Sequence, residues 1–194
     1  IIYMLLGPLR HRFTALERAK EQGIGHYFVP RYTRVVDTAE SKDNINKAYN
    51  LISTSKVRNE MIADDVITCV ARKQTPVILT RFKEHAKFLH DALKEKADHV
   101  FLLYGDNSDK ENAEIRVKLK QIPENESLIL VATGQKIGEG FDFPRLDVLM
   151  LAAPVSFEGR LEQYVGRLNR DYVGKEAVYV YDYIDSHVRY FDKM

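Results

Sequence analysis

Residues 76–132 read PVILTRFKEHAKFLHDALKEKADHVFLLYGDNSDKENAEIRVKLKQIPENESLILVA, and the alternation within this stretch decides the fold. Pro76–Thr80 is a short apolar run that reads as a buried strand. From about Phe82 to Lys96 the apolar positions Phe82, Ala86, Leu89 and Leu93 recur at helical spacing. His99–Leu103 is a second strand. Asp109–Gln121 is a second helix, with Asp109 as its N-cap and Ile115, Leu119 and Ile122 on its inner side, until Pro123 stops it. Ser127–Ala132 is a third strand. Short β-branched runs separated by helices predict βαβ units and a parallel sheet covered on both faces.

The same alternation continues downstream. Asp147–Ala152 is a fourth strand, Glu158–Arg170 a helix, and Ala177–Asp182 a fifth strand in which Val178 and Val180 alternate with Tyr179 and Tyr181. Ser186–Met194 is expected to begin another helix. Upstream, Lys56–Arg72 reads as a helix whose stripe is Val57, Met61, Val66 or Ile67, and Val70, packing on the edge of the sheet. Residues 1–55 fit the pattern less well. Gly23, Gly25, Pro30 and two basic aromatic stretches precede a helix from Asp43 to Ile52. We divide the chain into an inter-lobe or accessory segment, 1–55, and a main domain, 56–194. No internal repeat or low-complexity tract is present.

With 194 residues and 45% hydrophobic content, the chain can bury one substantial core and a smaller appendage. Lys and Arg total 29 against 28 Asp and Glu, so the strong basic excess of many autonomous DNA-binding modules is missing and any nucleic-acid contact must be local. Cys69 is the single cysteine, which excludes an internal disulfide and a cysteine zinc cluster and fits a reducing cytoplasm. No apolar run approaches the roughly 20 residues needed to span a bilayer, so no membrane association is expected. Ile1–Leu6 lacks the basic flank and cleavage site of a signal peptide. Without an initial methionine, the chain is expected to be a piece of something longer.

Chemistry concentrates on the helix Glu158–Arg170. At 100° per residue, Leu161, Tyr164, Val165 and Leu168 share an arc of roughly 100°, and Arg160, Gln163, Arg167 and Arg170 share another. Two guanidiniums one turn apart can clamp a polyphosphate and stabilise the charge of its transition state. A solvated amphipathic helix would show the same two faces. Gly166 argues for more, because a mid-helix glycine costs about 1 kcal/mol relative to alanine and so points to close approach by another backbone or a ligand. A second cluster is ATGQKIGEGFDFP, 132–144, where three of the ten glycines fall. It follows a strand, where open α/β sheets bind ligands, and its glycines let amides approach phosphates. An ordinary turn is the plainer reading.

Gln163, Gly166, Arg167 and Arg170, in QYVGRLNR, resemble motif VI (Q-x-x-G-R-x-x-R) of superfamily 2 helicases. The 132–144 stretch is similar to their motif V, and Thr80, Arg81 and Phe82 look like motif IV. The resemblance spans roughly Lys56–Asp185 and is nearest to bacterial restriction-type or repair-type helicases. It implies a RecA-like three-layer α/β/α domain with a mainly parallel sheet, the second of two motor lobes. Arg167 and Arg170 would then reach the γ-phosphate of ATP, with Gln163 coupling nucleotide to lobe closure. Gly140 and Asp142 would face ATP, Asp142 bonding the ribose or an arginine. Thr133, Gly134, Thr80 and Arg81 would contact nucleic acid, DNA being expected, although Thr80 serves equally as an N-cap. Tyr104-Gly105 stands where many members have His-Gly.

No G-x-x-x-x-G-K-[S/T] phosphate loop is present, and Gly174-Lys175 is followed by glutamate. Asp64-Asp65 lies within a helical pattern and is a poor metal box. ATP and Mg2+ would therefore be held largely by a preceding N-terminal lobe, this fragment alone would be inactive, and no metal ligand is assigned here. Two other readings are a noncatalytic RecA-like binding module and a dinucleotide oxidoreductase. The second lacks G-x-G-x-x-G after the first strand.

Overall fold

The computed structural model describes residues 24–134, 142–154, 158–170 and 172–192. Six strands are present among them: β1 (Gly25–Tyr32), β2 (Pro76–Thr80), β3 (His99–Leu103), β4 (Leu128–Thr133), β5 (Val148–Leu151) and β6 (Ala177–Ile184). They form one sheet in the order β1-β6-β5-β2-β4-β3, and every pairing is parallel. Five helices accompany it: α1 (Ile45–Thr54), α2 (Lys56–Ala71), α3 (Lys83–Leu93), α4 (Asp109–Gln121) and α5 (Glu158–Leu168).

Side chains two apart on a strand share a face, and the cores follow that rule. Val77, Leu79, Leu128, Leu130 and Ala132 meet Leu161, Tyr164, Val165 and Leu168 of α5 and Ile115 and Leu119 of α4. Ile78, Ile129, Val131 and Met150 face Ile62, Val66 and Cys69 of α2 and Ala86, Leu89 and Leu93 of α3. Central strands β2, β4 and β5 are buried on both sides, as a parallel sheet between helical layers requires. The expected three-layer α/β/α arrangement is thus present. A third apolar cluster joins Val35, Tyr49, Ile52, Val188 and Phe191, with Phe82 against it.

Several local expectations need correction. The N-cap of α4 is Ser108 rather than Asp109: its hydroxyl accepts from the Glu111 amide while the Glu111 carboxylate accepts from the Ser108 amide, a reciprocal capping box. Helix α2 turns Arg58, Ile62, Val66 and Cys69 inward, while Val57 and Ile67 are exposed. It lies across β2, β4, β5 and β6 rather than at the sheet edge. Residues 186–192 form turns, not a helix. Strand β1 was not anticipated. It adds to the outer edge of β6 over eight register pairs, Gly25↔Ala177 to Tyr32↔Ile184, and Pro30 is tolerated there because an edge strand has one unpaired side.

Candidate functional site

Helix α5 seats its apolar arc on the sheet: Tyr164 and Leu168 are buried, and Leu161 and Val165 pack beside them. Gln163 and Gly166 are exposed, Arg167 is half-buried, and Arg170 lies two residues past the helix end, exposed. A Cβ on Gly166 would meet nothing within 4 Å. Crowding by the described residues therefore does not explain the glycine. The Arg170 Nε lies 3.6 Å from Asp142 Oδ1, with side chains 63% and 64% exposed. An ion pair so exposed is worth at most about 1 kcal/mol, too little to keep the guanidinium from a polyphosphate. Two residues chosen from separate sequence motifs are thus neighbours. Gly140 lies outside the described residues.

The ends of this helix and of the 142–146 segment are joined by Lys175. Its ammonium donates to the carbonyls of Pro144 (2.9 Å), Leu146 (2.6 Å) and Leu168, with Arg170 O at 3.4 Å. A cation at a helix C-terminus also meets the negative end of the helix dipole. Nothing local marks Lys175 for this role except its basic charge shortly after the helix. At β1, His26 Nε2 meets Asn169 Oδ1 at 2.5 Å, which anchors the same helix end to the sheet edge.

Thr80 and Thr133 are register partners at the carboxyl ends of β2 and β4, and both are buried. The Thr80 hydroxyl is 2.8 Å from His85 Nδ1, and His85 Nε2 is 2.9 Å from Asn59 Oδ1. Asn59 Nδ2 donates to Ser53 O at 2.8 Å, so the Asn59 oxygen must be the acceptor. Burial, reinforced by the Arg58 charge, pushes the His85 imidazole down to about 3. The ring is neutral, donates through Nε2 and accepts at Nδ1, which commits the Thr80 proton to His85. Thr80 is therefore part of an internal relay. Helix α3 has Phe82 at its N-cap position and no side-chain cap. Arg81 is exposed beside that helix start, its Cζ 4.6 Å from the Tyr49 ring centroid, a cation–π contact that orients the guanidinium.

Gly134, at the end of β4, touches α5 directly: Tyr164 donates its hydroxyl to Gly134 O at 3.1 Å. Tyr104 lies under the Lys87 ammonium, 5.5 Å from the ring centroid, and Lys83 and Lys87 both pair with Asp106. The hydrogen bond from Lys83 holds the Asp106 carboxyl below its usual range.

Beneath these turns lies a buried ion pair that sequence reasoning missed. Arg58 Nε donates to Asp185 Oδ1 at 3.0 Å and Oδ2 at 3.2 Å, and Nη1 to Ala152 O at 2.8 Å. Thr33 adds a 2.5 Å bond to the same carboxylate. The ends of β1, β5 and β6 are thereby tied to the start of α2. Among the described residues no group of three or more His, Cys, Asp or Glu could hold a metal ion, and no helix is long and apolar enough to cross a membrane. The donor set on α5 and just past its end, two guanidiniums and an amide, suits phosphate oxygens and not a cation.

No protein-family model matches the chain. It is 28% identical over 172 residues to the transcript termination protein A18 of Yaba-like disease virus, covering 83% of this chain and 35% of that protein. To the fowlpox virus A18 protein it is 27% identical over 135 residues, 68% of this chain and 28% of that one. The chain thus spans about a third of the curated relatives it matches. Among solved structures, T4 UvsW superposes with a TM-score of 0.64 at 20% identity, over 89% of this chain and 33% of that one. Domain 2 of the DEAD-box helicase Mss116p, bound to an RNA duplex, gives 0.54 at 19%, over 81% and 54%. The Sulfolobus solfataricus SWI2/SNF2 ATPase core, in complex with double-stranded DNA, gives 0.53 at 15%, over 87% and 43%. The α/β RecA-like fold is shared with these helicase-type domains.

Proposed function

We propose that this chain is the C-terminal motor lobe of an ATP-dependent superfamily 2 helicase or translocase acting on nucleic acid, with DNA as the expected strand. The observation that carries the reading is the placement of α5: its apolar side packs on the sheet, while Gln163 is exposed and Arg167 half-buried on the other side, with Arg170 exposed just past the helix end beside Asp142. Membership among restriction-type or repair-type helicases, and the division into a joining segment, 1–55, and a lobe, 56–194, belong to the same proposal. Similarity to proteins named for transcript termination also fits a motor that moves on nucleic acid.

ATP, when bound between the lobes, supplies a phosphoanhydride whose hydrolysis drives opening and closure, and Mg2+ would be held by the preceding lobe. Arg167 and Arg170 would stabilise charge developing on the transferred phosphoryl group, preorganised so that little reorients during reaction. Asp142 holds Arg170 weakly in the open state and lets it go on closure. Gln163 lies one turn before Arg167 and would sense the nucleotide. At the strand side, the uncapped start of α3 and Arg81 suit a backbone phosphate. Thr133 and Gly134, at the carboxyl end of β4, would contact the strand. The Thr80 hydroxyl, already donating to His85, holds the end of β2 beside Thr133.

The test uses the whole protein. It should hydrolyse ATP with stimulation by nucleic acid, while residues 1–194 alone show no turnover above background. Arg167→Ala should lower kcat by about 100-fold or more with little change in KM, because the guanidinium acts mainly on the transition state. Turnover by the isolated chain, or equal losses in kcat and ATP affinity, refutes the assignment. A whole protein that binds nucleic acid without hydrolysing ATP would be a noncatalytic RecA-like module.

A further inference from the structure

Tyr164 occupies the inner side of α5, one turn before Arg167, and its ring is buried in the core between helix and sheet. A phenylalanine would fill that space equally well. The hydroxyl reaches out of the core to the Gly134 carbonyl, 3.1 Å away. The other partner is matched to it: a Cβ on residue 134 would lie 2.6 Å from the Tyr164 hydroxyl oxygen and 3.5 Å from Cζ. Any side chain at 134 would therefore clash with the hydroxyl, while the ring carbon that bears it would stay at an ordinary contact distance. Gly134, directly after β4, and the arginine-bearing helix meet at an oxygen whose position both sides specify.

We infer that Tyr164 is a positioning residue that transmits strand engagement at Thr133 and Gly134 to Arg167 and Arg170. This rests on the motor reading above. A helix moves as a rigid unit and a packed core resists compression. A displacement of the Gly134 carbonyl is thus passed through the tyrosine to the helix and along one turn to Arg167. The hydroxyl is spent on the Gly134 carbonyl, so on this reading its loss leaves both sites built and unlinked.

The experiment compares the whole wild-type protein with Tyr164→Phe, Gly134→Ala and the double variant, measuring kcat and KM for ATP with and without saturating single-stranded DNA. The basal rate of Tyr164→Phe should stay within about twofold of wild type, while the stimulation factor falls about tenfold, in the usual range of couplings between sites. Gly134→Ala should lose as much, because its methyl clashes with the hydroxyl and breaks its bond to the 134 carbonyl. The double variant should be no worse than either single, since the new methyl then meets the ring at an ordinary contact distance. Stimulation retained by Tyr164→Phe overturns the inference, as do basal and stimulated rates falling by one factor, or losses that multiply in the double variant. Amide exchange across α5, followed well below any melting transition, reads the link without turnover: DNA should slow it in wild type and not in Tyr164→Phe, and equal protection overturns the link. Absence of ATP hydrolysis by wild type is a different failure, which removes the motor reading and this coupling with it.

Discussion

Replacing Arg58 with methionine should be among the most damaging single changes available in this chain, and the geometry sets the size. Both side chains of the Arg58–Asp185 pair are 0% exposed. Methionine keeps the aliphatic stem, removes three hydrogen bonds, and leaves a buried carboxylate with the Thr33 hydroxyl as its remaining described partner. Orphaning a buried charge in this way costs about 3–5 kcal/mol, a large part of the roughly 5–15 kcal/mol that holds an ordinary domain together. At a urea m-value of about 2 kcal/mol/M for a chain of this size, the unfolding midpoint should fall by roughly 2 M. Removing the second charge as well, Arg58→Met with Asp185→Leu, should recover most of the loss, because apolar replacement of a whole buried pair is often neutral. Arg58 Nη2 is buried with no hydrogen-bond partner, which lowers what the intact pair contributes. Urea unfolding at 25 °C decides the matter. A single variant within 1 kcal/mol of wild type, or a double variant as unstable as the sum of the singles, would refute the reasoning.

Three other outcomes follow from the same geometry. His85 is depressed from 6.5 to about 3, so the unfolded chain binds the proton more readily; the stability this contributes is complete above about pH 6.5 and is lost as pH falls toward 3. By pH 4.5 the loss is about 2–3 kcal/mol, and His85→Gln should flatten the decline between pH 7 and 4.5; an unchanged slope counts against a buried neutral imidazole. Lys175→Met should cost about 1–3 kcal/mol by leaving carbonyls without their donor, with amide exchange accelerating first in 142–146 and the last turn of α5; a uniform acceleration would mean that the lysine does not join those two segments. Gly166→Ala should raise the stability of the isolated chain by about 0.5–1 kcal/mol, since none of the described residues crowds a methyl there; a lower melting temperature would show another neighbour at that position.

Much of the fold was legible because its signals are local. Strands β2 to β6 and helices α1 to α5 each announce themselves through a repeat of two or 3.6 residues over a dozen positions or fewer. Strand β1 did not, because GHYFVPRY contains Gly25 and Pro30 and leaves Tyr27, Phe28 and Tyr32 exposed. Its identity depends on a partner strand some 150 residues away. Helix α2 was placed correctly in the chain but rotated, because a stripe count treats Arg58 as polar, whereas Asp185 makes its burial possible.

The amino-acid order alone determined the alternation of elements, the parallel sheet it demands, and the place of Gln163 and Arg167 on the side of a helix away from its apolar arc, since all of these follow from contiguous residues. Only the tertiary structure decided that Arg170 meets Asp142, that Lys175 gathers carbonyls from two segments, that Thr80 gives its proton to His85, and that Gly134 makes room for Tyr164. These relations pair groups on different elements. A short repeat reports which way a side chain faces and carries no information about what the folded chain brings opposite it.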